Sequence, residues 1–196
     1  MILLGDHKLS ISDVVRVARE REEVQLSDQA KELIKRSQMR LQSIVKSGKP
    51  VYGINTGFGI FADRRIRTEE SNQLSRNLIL SHSVGTGDPL STEVVRAAML
   101  VRANTLAQGF SGVRVEIVQT LLDMLNKGVH PIIPSQGSLG SSGDLCQLSH
   151  LALVFTTDTN DLDEESGRAD FKGSIQSGKA TMKAAGIQRL ILGAKE

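Results

Sequence analysis

Cysteine, tyrosine and tryptophan are nearly absent from this 196-residue sequence, which holds one Cys, one Tyr and no Trp. The single Cys146 excludes an internal disulfide framework and suits a reducing cytoplasm, where it serves as a small apolar helix residue. Neither sign of charge dominates, since 24 Lys and Arg stand against 22 Asp and Glu for a net +2. The basic residues are spread along helical stretches and not gathered beside aromatics, so a nucleic-acid footprint is missing. No apolar run is long enough to cross a bilayer, and the charged-then-apolar pattern of a secretion signal is not found at the start. What remains is a chain with 39% hydrophobic residues, long enough to bury one domain core, and so of a soluble globular class.

The apolar spacing is helical, interrupted by clear punctuation, with no internal repeat. Ser12-Asp13 opens a first helix through Val14, Val15 and Val17. Ser27 opens a second carrying Ala30, Leu33, Ile34, Leu41, Ile44 and Val45, stopped by Gly48 and Pro50. Further helices are predicted over Glu69 to Ser81, Thr92 to Gly109 (apolar enough to be buried on most sides), Val113 to Lys127, Asp144 to Phe155 and Ser177 to Ala185. Gly128 and Gly186 are the expected caps of the fifth and the last. Between the sixth and seventh, Asp158 to Asp170 holds six acidic residues without apolar periodicity and predicts a mobile surface loop, about 157–170.

Two loops are unlike ordinary connectors. Tyr52-Gly53-Ile54-Asn55-Thr56-Gly57-Phe58-Gly59 places three glycines around the only tyrosine, an amide and a ring. It lacks both the Walker ending and the dinucleotide-binding spacing, so by itself it is either a flexible turn or a shaped loop. The second, Gly137-Ser138-Leu139-Gly140-Ser141-Ser142-Gly143-Asp144, runs directly into an apolar helix. It can be a linker, or bind an anion at the helix N-terminus. It also permits a backbone reaction: the Gly143 nitrogen, with no Cβ in the way, can condense with the Ser141 carbonyl. Loss of that water and of the Ser142 hydroxyl leaves a five-membered ring bearing an electrophilic methylidene, a group no ordinary side chain supplies. The following helix N-terminus would favour negative charge developing there.

Taken together, four ordered stretches resemble the aromatic amino acid ammonia-lyases: Tyr52 to Gly59, Asn77-Leu78-Ile79-Leu80-Ser81-His82, Gly85-Thr86-Gly87-Asp88-Pro89-Leu90, and Ser141-Ser142-Gly143-Asp144. Arg102 to Ala107 and Gly109-Phe110-Ser111-Gly112 fit between them, so the similarity is continuous from about Val51 to His150. The resemblance implies that Ser141, Ser142 and Gly143 form methylidene-imidazolone (MIO), the self-made cofactor of that family, with Ser141 where alanine is usual. It implies that Tyr52 takes a β-proton from the substrate, its glycine neighbours allowing closure as a lid, and that Asn55 and Gly59 help bind substrate. Ser81-His82 resembles the histidine-selective branch, in which an imidazole meets the substrate imidazole. On residue type alone, a histidine in the place of His82 is more often a helix-end cap. His150 reads as structural, and the sequence offers no argument for His7 or His130.

The resemblance further implies a mainly α fold, the N-terminal MIO-containing domain over 1–196, truncated before the long central helical bundle. The implied reaction is removal of ammonia from L-histidine to give urocanate, in a cytoplasmic homotetramer whose active sites draw on several subunits. No metal, diffusible cofactor, nucleic acid or membrane is called for. Because that family places further substrate-binding residues downstream, the 196 residues alone are expected to be inactive. A tyrosine or phenylalanine ammonia-lyase, an aminomutase, and a non-catalytic helical assembly or regulatory module are the alternatives.

Overall fold

The computed structural model describes residues 1–57, 66, 71–139, 143 and 145–196, and for Ser71 and Asn72 the backbone alone. The chain opens with strand β1 (Ile2–Leu4), helix α1 (Ile11–Arg19) and strand β2 (Val24–Leu26), the two strands pairing in parallel as Ile2 with Val24 and Leu4 with Leu26. Helix α1 begins earlier than its apolar pattern suggests. Ser10 is the cap: its hydroxyl accepts from the Asp13 amide at 3.1 Å while Asp13 Oδ2 accepts from the Ser10 amide at 2.9 Å, a reciprocal box closed by aspartate. Donation from the Ser10 amide, and from its hydroxyl at 2.7 Å, holds the Asp13 carboxyl down at about 2.

Helix α2 (Asp28–Ser47) is capped by Ser27 and ends on Gly48, as its punctuation predicts. Helix α3 (Ser71–His82) leads into strand β3 (Thr86–Pro89); helices α4 (Thr92–Ala107) and α5 (Val115–Lys127) follow. Between α4 and α5 lies the centre of the core, where Met99, Leu100 and Ala103 meet Val118, Leu122 and Met124, all excluded from solvent. Each such side chain contributes roughly 1.5–3 kcal/mol relative to exposure. Helix α4 is not buried on all sides, because Val94 and Val101 face outward.

One charged residue sits inside this core. Arg96 of α4 is 2% exposed and, among the described residues, pairs with no carboxylate. Its guanidinium donates twice to the Val17 carbonyl, at 2.7 and 3.1 Å, and once to the Leu125 carbonyl at 2.8 Å. Those carbonyls belong to the last turns of α1 and α5, which lack partners within their own helices. Two half-charges at helix C-termini thus balance one buried cation.

The rest of the chain is built from short strands. Strands β4 (Val129–Pro131), β7 (Arg168–Phe171) and β8 (Ser174–Ser177) form one antiparallel sheet. Strand β5 (Pro134–Gln136) pairs with β3, and β6 (Thr156–Thr157), which follows helix α6 (Leu145–Phe155), pairs with β9 (Leu190–Ile191). Helix α7 (Gly178–Ala184) packs on β7 under a Ser177 cap. Helices dominate, in agreement with a mainly α fold, but the small sheets have no counterpart in the helical reading of the sequence. The acidic segment predicted as a mobile loop runs into β7 and is tied to its surroundings. Asp161 accepts from Thr157 Oγ1 at 2.6 Å and pairs with Lys179 and Arg189, which keeps its carboxyl below the usual range.

Candidate active site

Helix α3 carries His82 at its last position, and its attachment to the core fixes that end. Arg76, 3% exposed, donates to Thr156 Oγ1 at 3.1 Å and to the Glu165 carbonyl at 2.6 Å, joining α3 to β6 and the acidic segment. Ser75 donates to the Gly193 carbonyl at 3.1 Å. The His82 ring is partly buried, with Nδ1 2.8 Å from the Leu78 carbonyl and 3.1 Å from Ser81 Oγ. A carbonyl can only accept, so Nδ1 carries the proton and, in the neutral ring, Nε2 is an acceptor. The helix-end bond expected of a capping histidine and a defined tautomer for a ligand therefore coexist.

The tyrosine loop leans on the same helix. Gly53 and Ile54 line a small cavity of about 140 Å³ with Leu74, Ser75 and Leu78 of α3. Asn55 is buried, and both ends of its amide bond the loop itself: Oδ1 accepts from the Val51 amide at 2.7 Å and Nδ2 donates to the Lys49 carbonyl at 2.9 Å. With the Gly53 amide bonded to Thr56 Oγ1 at 3.3 Å, these contacts brace the turn that presents Tyr52, whose side chain is 62% exposed. Gly59 lies outside the described residues.

Ser141 and Ser142 also lie outside them; Gly143 does not. It adopts φ +89°, a conformation glycine tolerates, and a Cβ placed there would meet none of the described residues within 4 Å. The backbone at the last residue of the tripeptide therefore suits glycine, two residues before the start of α6. That helix is fastened to the segment following α3, because His150 Nε2 accepts from the Gly85 amide at 3.0 Å. Cys146, one turn earlier, is buried against Gly85 and Gly137. Sequence reasoning gave His150 and Cys146 no more than a structural place; their four-residue separation, which puts them on one helix face, was the available signal.

The structure thus brings the Tyr52 loop and His82 onto one helix, and ties the segment beyond His82 to the helix entered through Gly143. A larger apolar cavity of about 220 Å³, lined by Ile79, Leu106, Ile117, Leu148 and Phe155 among others, includes none of the predicted site residues that the structure describes. Among the described residues, no group of three or more His, Cys, Asp or Glu could hold a metal ion. No helix among them is long and apolar enough to cross a membrane.

A profile of the aromatic amino acid lyases matches residues 9–196. The chain belongs to the aromatic amino acid lyase family. Histidine ammonia-lyase of Caldanaerobacter subterraneus subsp. tengcongensis is 50% identical to this lyase chain over 195 residues, covering 100% of it and 37% of the longer protein. The ergothioneine-degrading enzyme ergothionase of Treponema denticola superimposes with a TM-score of 0.91 at 34% identity, covering 99% of this chain and 37% of that one. The phenylalanine aminomutase of Pantoea agglomerans gives a TM-score of 0.89 at 31% identity, over 100% and 36% of the two chains. The lyase chain thus spans a little over a third of the length of these relatives.

Proposed function

We propose that this chain is the N-terminal part of a histidine ammonia-lyase, which removes ammonia from L-histidine to leave urocanate. The observation that carries the histidine assignment is the 2.8 Å contact between His82 Nδ1 and the Leu78 carbonyl, from which the tautomer follows. Its Nδ1–H is committed to the Leu78 carbonyl, so its Nε2 is ready to accept a hydrogen bond. A neutral substrate imidazole offers one N–H donor to such an acceptor, whereas a phenyl ring offers none. The 50% identity to a histidine ammonia-lyase supports the same choice.

MIO formed from Ser141, Ser142 and Gly143 would supply the electrophile for the substrate amine. The left-handed backbone at Gly143 and the helix start at Leu145 fit that group. Tyr52, on its braced and solvent-facing turn, would take the β-proton, with Asn55 and Gly59 shaping that side of the pocket. Removing the β-proton and the amine from the same molecule balances the reaction without any redox partner. Family resemblance adds a homotetramer whose sites draw on neighbouring subunits and on downstream residues, in the reducing compartment that a lone cysteine suits.

The test is product analysis on a full-length lyase bearing this sequence, supplied separately with histidine, tyrosine and phenylalanine. Urocanate from histidine, with an intact-mass deficit of two waters mapping to the Ser142 peptide, is expected. Turnover of phenylalanine or tyrosine instead, or formation of the β-amino acid, would move the assignment to a sibling activity such as that of the aminomutase. An ordinary, uncyclised tripeptide in an active enzyme would overturn the MIO reading.

A further inference from the structure

Gly85 and Gly137 meet on one face of α6. Strand β3 begins one residue after Gly85 and strand β5 ends one residue before Gly137, and the two strands pair there through Thr86 and Gln136. Helix α6 lies across this junction. A Cβ at Gly85 would come within 3.1 Å of Cys146 Sγ, and one at Gly137 within 2.5 Å, so backbone and helix touch with no side chain between them. One turn further along, His150 Nε2 takes the Gly85 amide hydrogen at 3.0 Å.

This bond constrains chemistry as well as geometry. Nε2 can accept only while unprotonated, and burial depresses the proton affinity of His150, which favours that state. Gly85 is three residues past His82, and α6 begins two residues past Gly143. A single side chain therefore links the peptide leaving the imidazole-bearing end of α3 to the helix that the tripeptide enters.

We propose that His150 is a positioning residue: as acceptor of the Gly85 amide it sets the end of α3 bearing His82 relative to Gly143 and the start of α6. The consequence for turnover rests on the lyase reading above; the consequence for geometry does not. A neighbour displaced by about 1 Å can cost on the order of 10²-fold in rate, so one such bond suffices to matter.

The experiment compares His150→Leu, which cannot accept, with His150→Gln, whose amide oxygen can. On the 196-residue chain, nitrogen-detected NMR should show His150 Nε2 unprotonated. His150→Leu should shift the Gly85 amide and the His82 ring signals while leaving Met99 and Val118 in place, and His150→Gln should restore them towards the native positions. In a full-length lyase with L-histidine as the probe, His150→Leu should lower kcat/KM by roughly 10²-fold, with His150→Gln recovering most of it. Unmoved His82 and Gly85 signals in His150→Leu would overturn the proposal, as would an unchanged kcat/KM accompanied only by a lower Tm. Failure of the wild-type enzyme to use histidine would sink the functional reading instead, and the NMR comparison would still decide the positioning role.

Discussion

Replacing Arg96 with methionine tests whether two helix ends can hold a buried cation in place of a carboxylate. Methionine keeps much of the side-chain volume, so the loss falls on the polar contacts. Three hydrogen bonds to two carbonyls disappear, and the Val17 and Leu125 oxygens are left buried without their donor. Stranding a buried acceptor costs about 1–3 kcal/mol, which gives about 2–6 kcal/mol for the pair. Part of that is returned, because the arginine no longer has to be desolvated. A net loss of about 3 kcal/mol follows, a large share of the ~5–15 kcal/mol that holds a domain together. For a chain of this size it corresponds to a fall in Tm of roughly 6–12 °C. Urea titration followed by circular dichroism measures the change, with an unaltered slope expected. A second readout is independent of stability: Arg96 Nη1 lies 3.3 Å from His130 Nε2 and helps keep that histidine neutral, so His130 should become easier to protonate in the variant. A loss below about 1 kcal/mol together with an unmoved His130 titration would refute the reasoning.

The remaining predictions concern protons, close packing and the acidic segment. His130 and His150 both sit below their ordinary 6.5, chiefly through burial, so below that pH the unfolded chain binds more protons than the folded one. The histidine contribution to stability should be full above pH 6.5, fall as the pH drops towards the depressed values and then level off, before the depressed carboxyls of Asp13 and Asp161 add their own loss at lower pH. Denaturant midpoints check it, and His150→Gln should flatten the slope above that acid limb. Gly137→Ala drives a Cβ into Cys146 Sγ at φ +146° and should cost about 1–3 kcal/mol, of which Cys146→Ala recovers a measurable part in a double-mutant cycle. Asp161→Ala leaves Arg189, 7% exposed at its side chain, without its carboxylate; amide exchange in β6 and β9 should rise while α4 and α5 keep their protection.

The helices were readable because their punctuation acts locally. Ser27, Gly48, Gly128 and Ser177 stand where the structure places caps and ends, and each works through contacts within a few residues. The exception is α1, where Ser12 looks like the opening residue but Ser10 caps, since an aspartate at the third position can return the bond as glutamate usually does. The strands were not readable. With two to four residues each, they are too short to display an alternating pattern, and their pairings join positions far apart in sequence, as β4 joins β7. The acidic segment misled for a related reason: Arg76 and Arg189, which anchor it, come from α3 and from beyond α7, and composition does not record who pairs with whom.

The candidate site repeats this division between local and distant information. Its glycine-rich loops and the His82 position are stretches that could be found by their resemblance to a family, since spacing alone left each of them open. Their arrangement depends on side chains bonded to backbone far away in sequence: Arg76 to Glu165 and His150 to Gly85. A backbone amide or carbonyl has the same chemistry at every residue, so the sequence marks only one end of each bond. The overall fold cannot supply substrate identity either, because an ergothioneine-degrading enzyme and a phenylalanine aminomutase superimpose on this chain with TM-scores of 0.91 and 0.89. Selectivity must then reside in a few side chains carried on a shared frame. On the reading proposed above His82 is such a side chain, and its hydrogen-bond polarity is set by its own helix through the Leu78 carbonyl. Replacing it with leucine would remove the acceptor while keeping the helix, so activity towards histidine should fall more than activity towards phenylalanine. Equal losses towards histidine and phenylalanine would place the discrimination elsewhere in the protein.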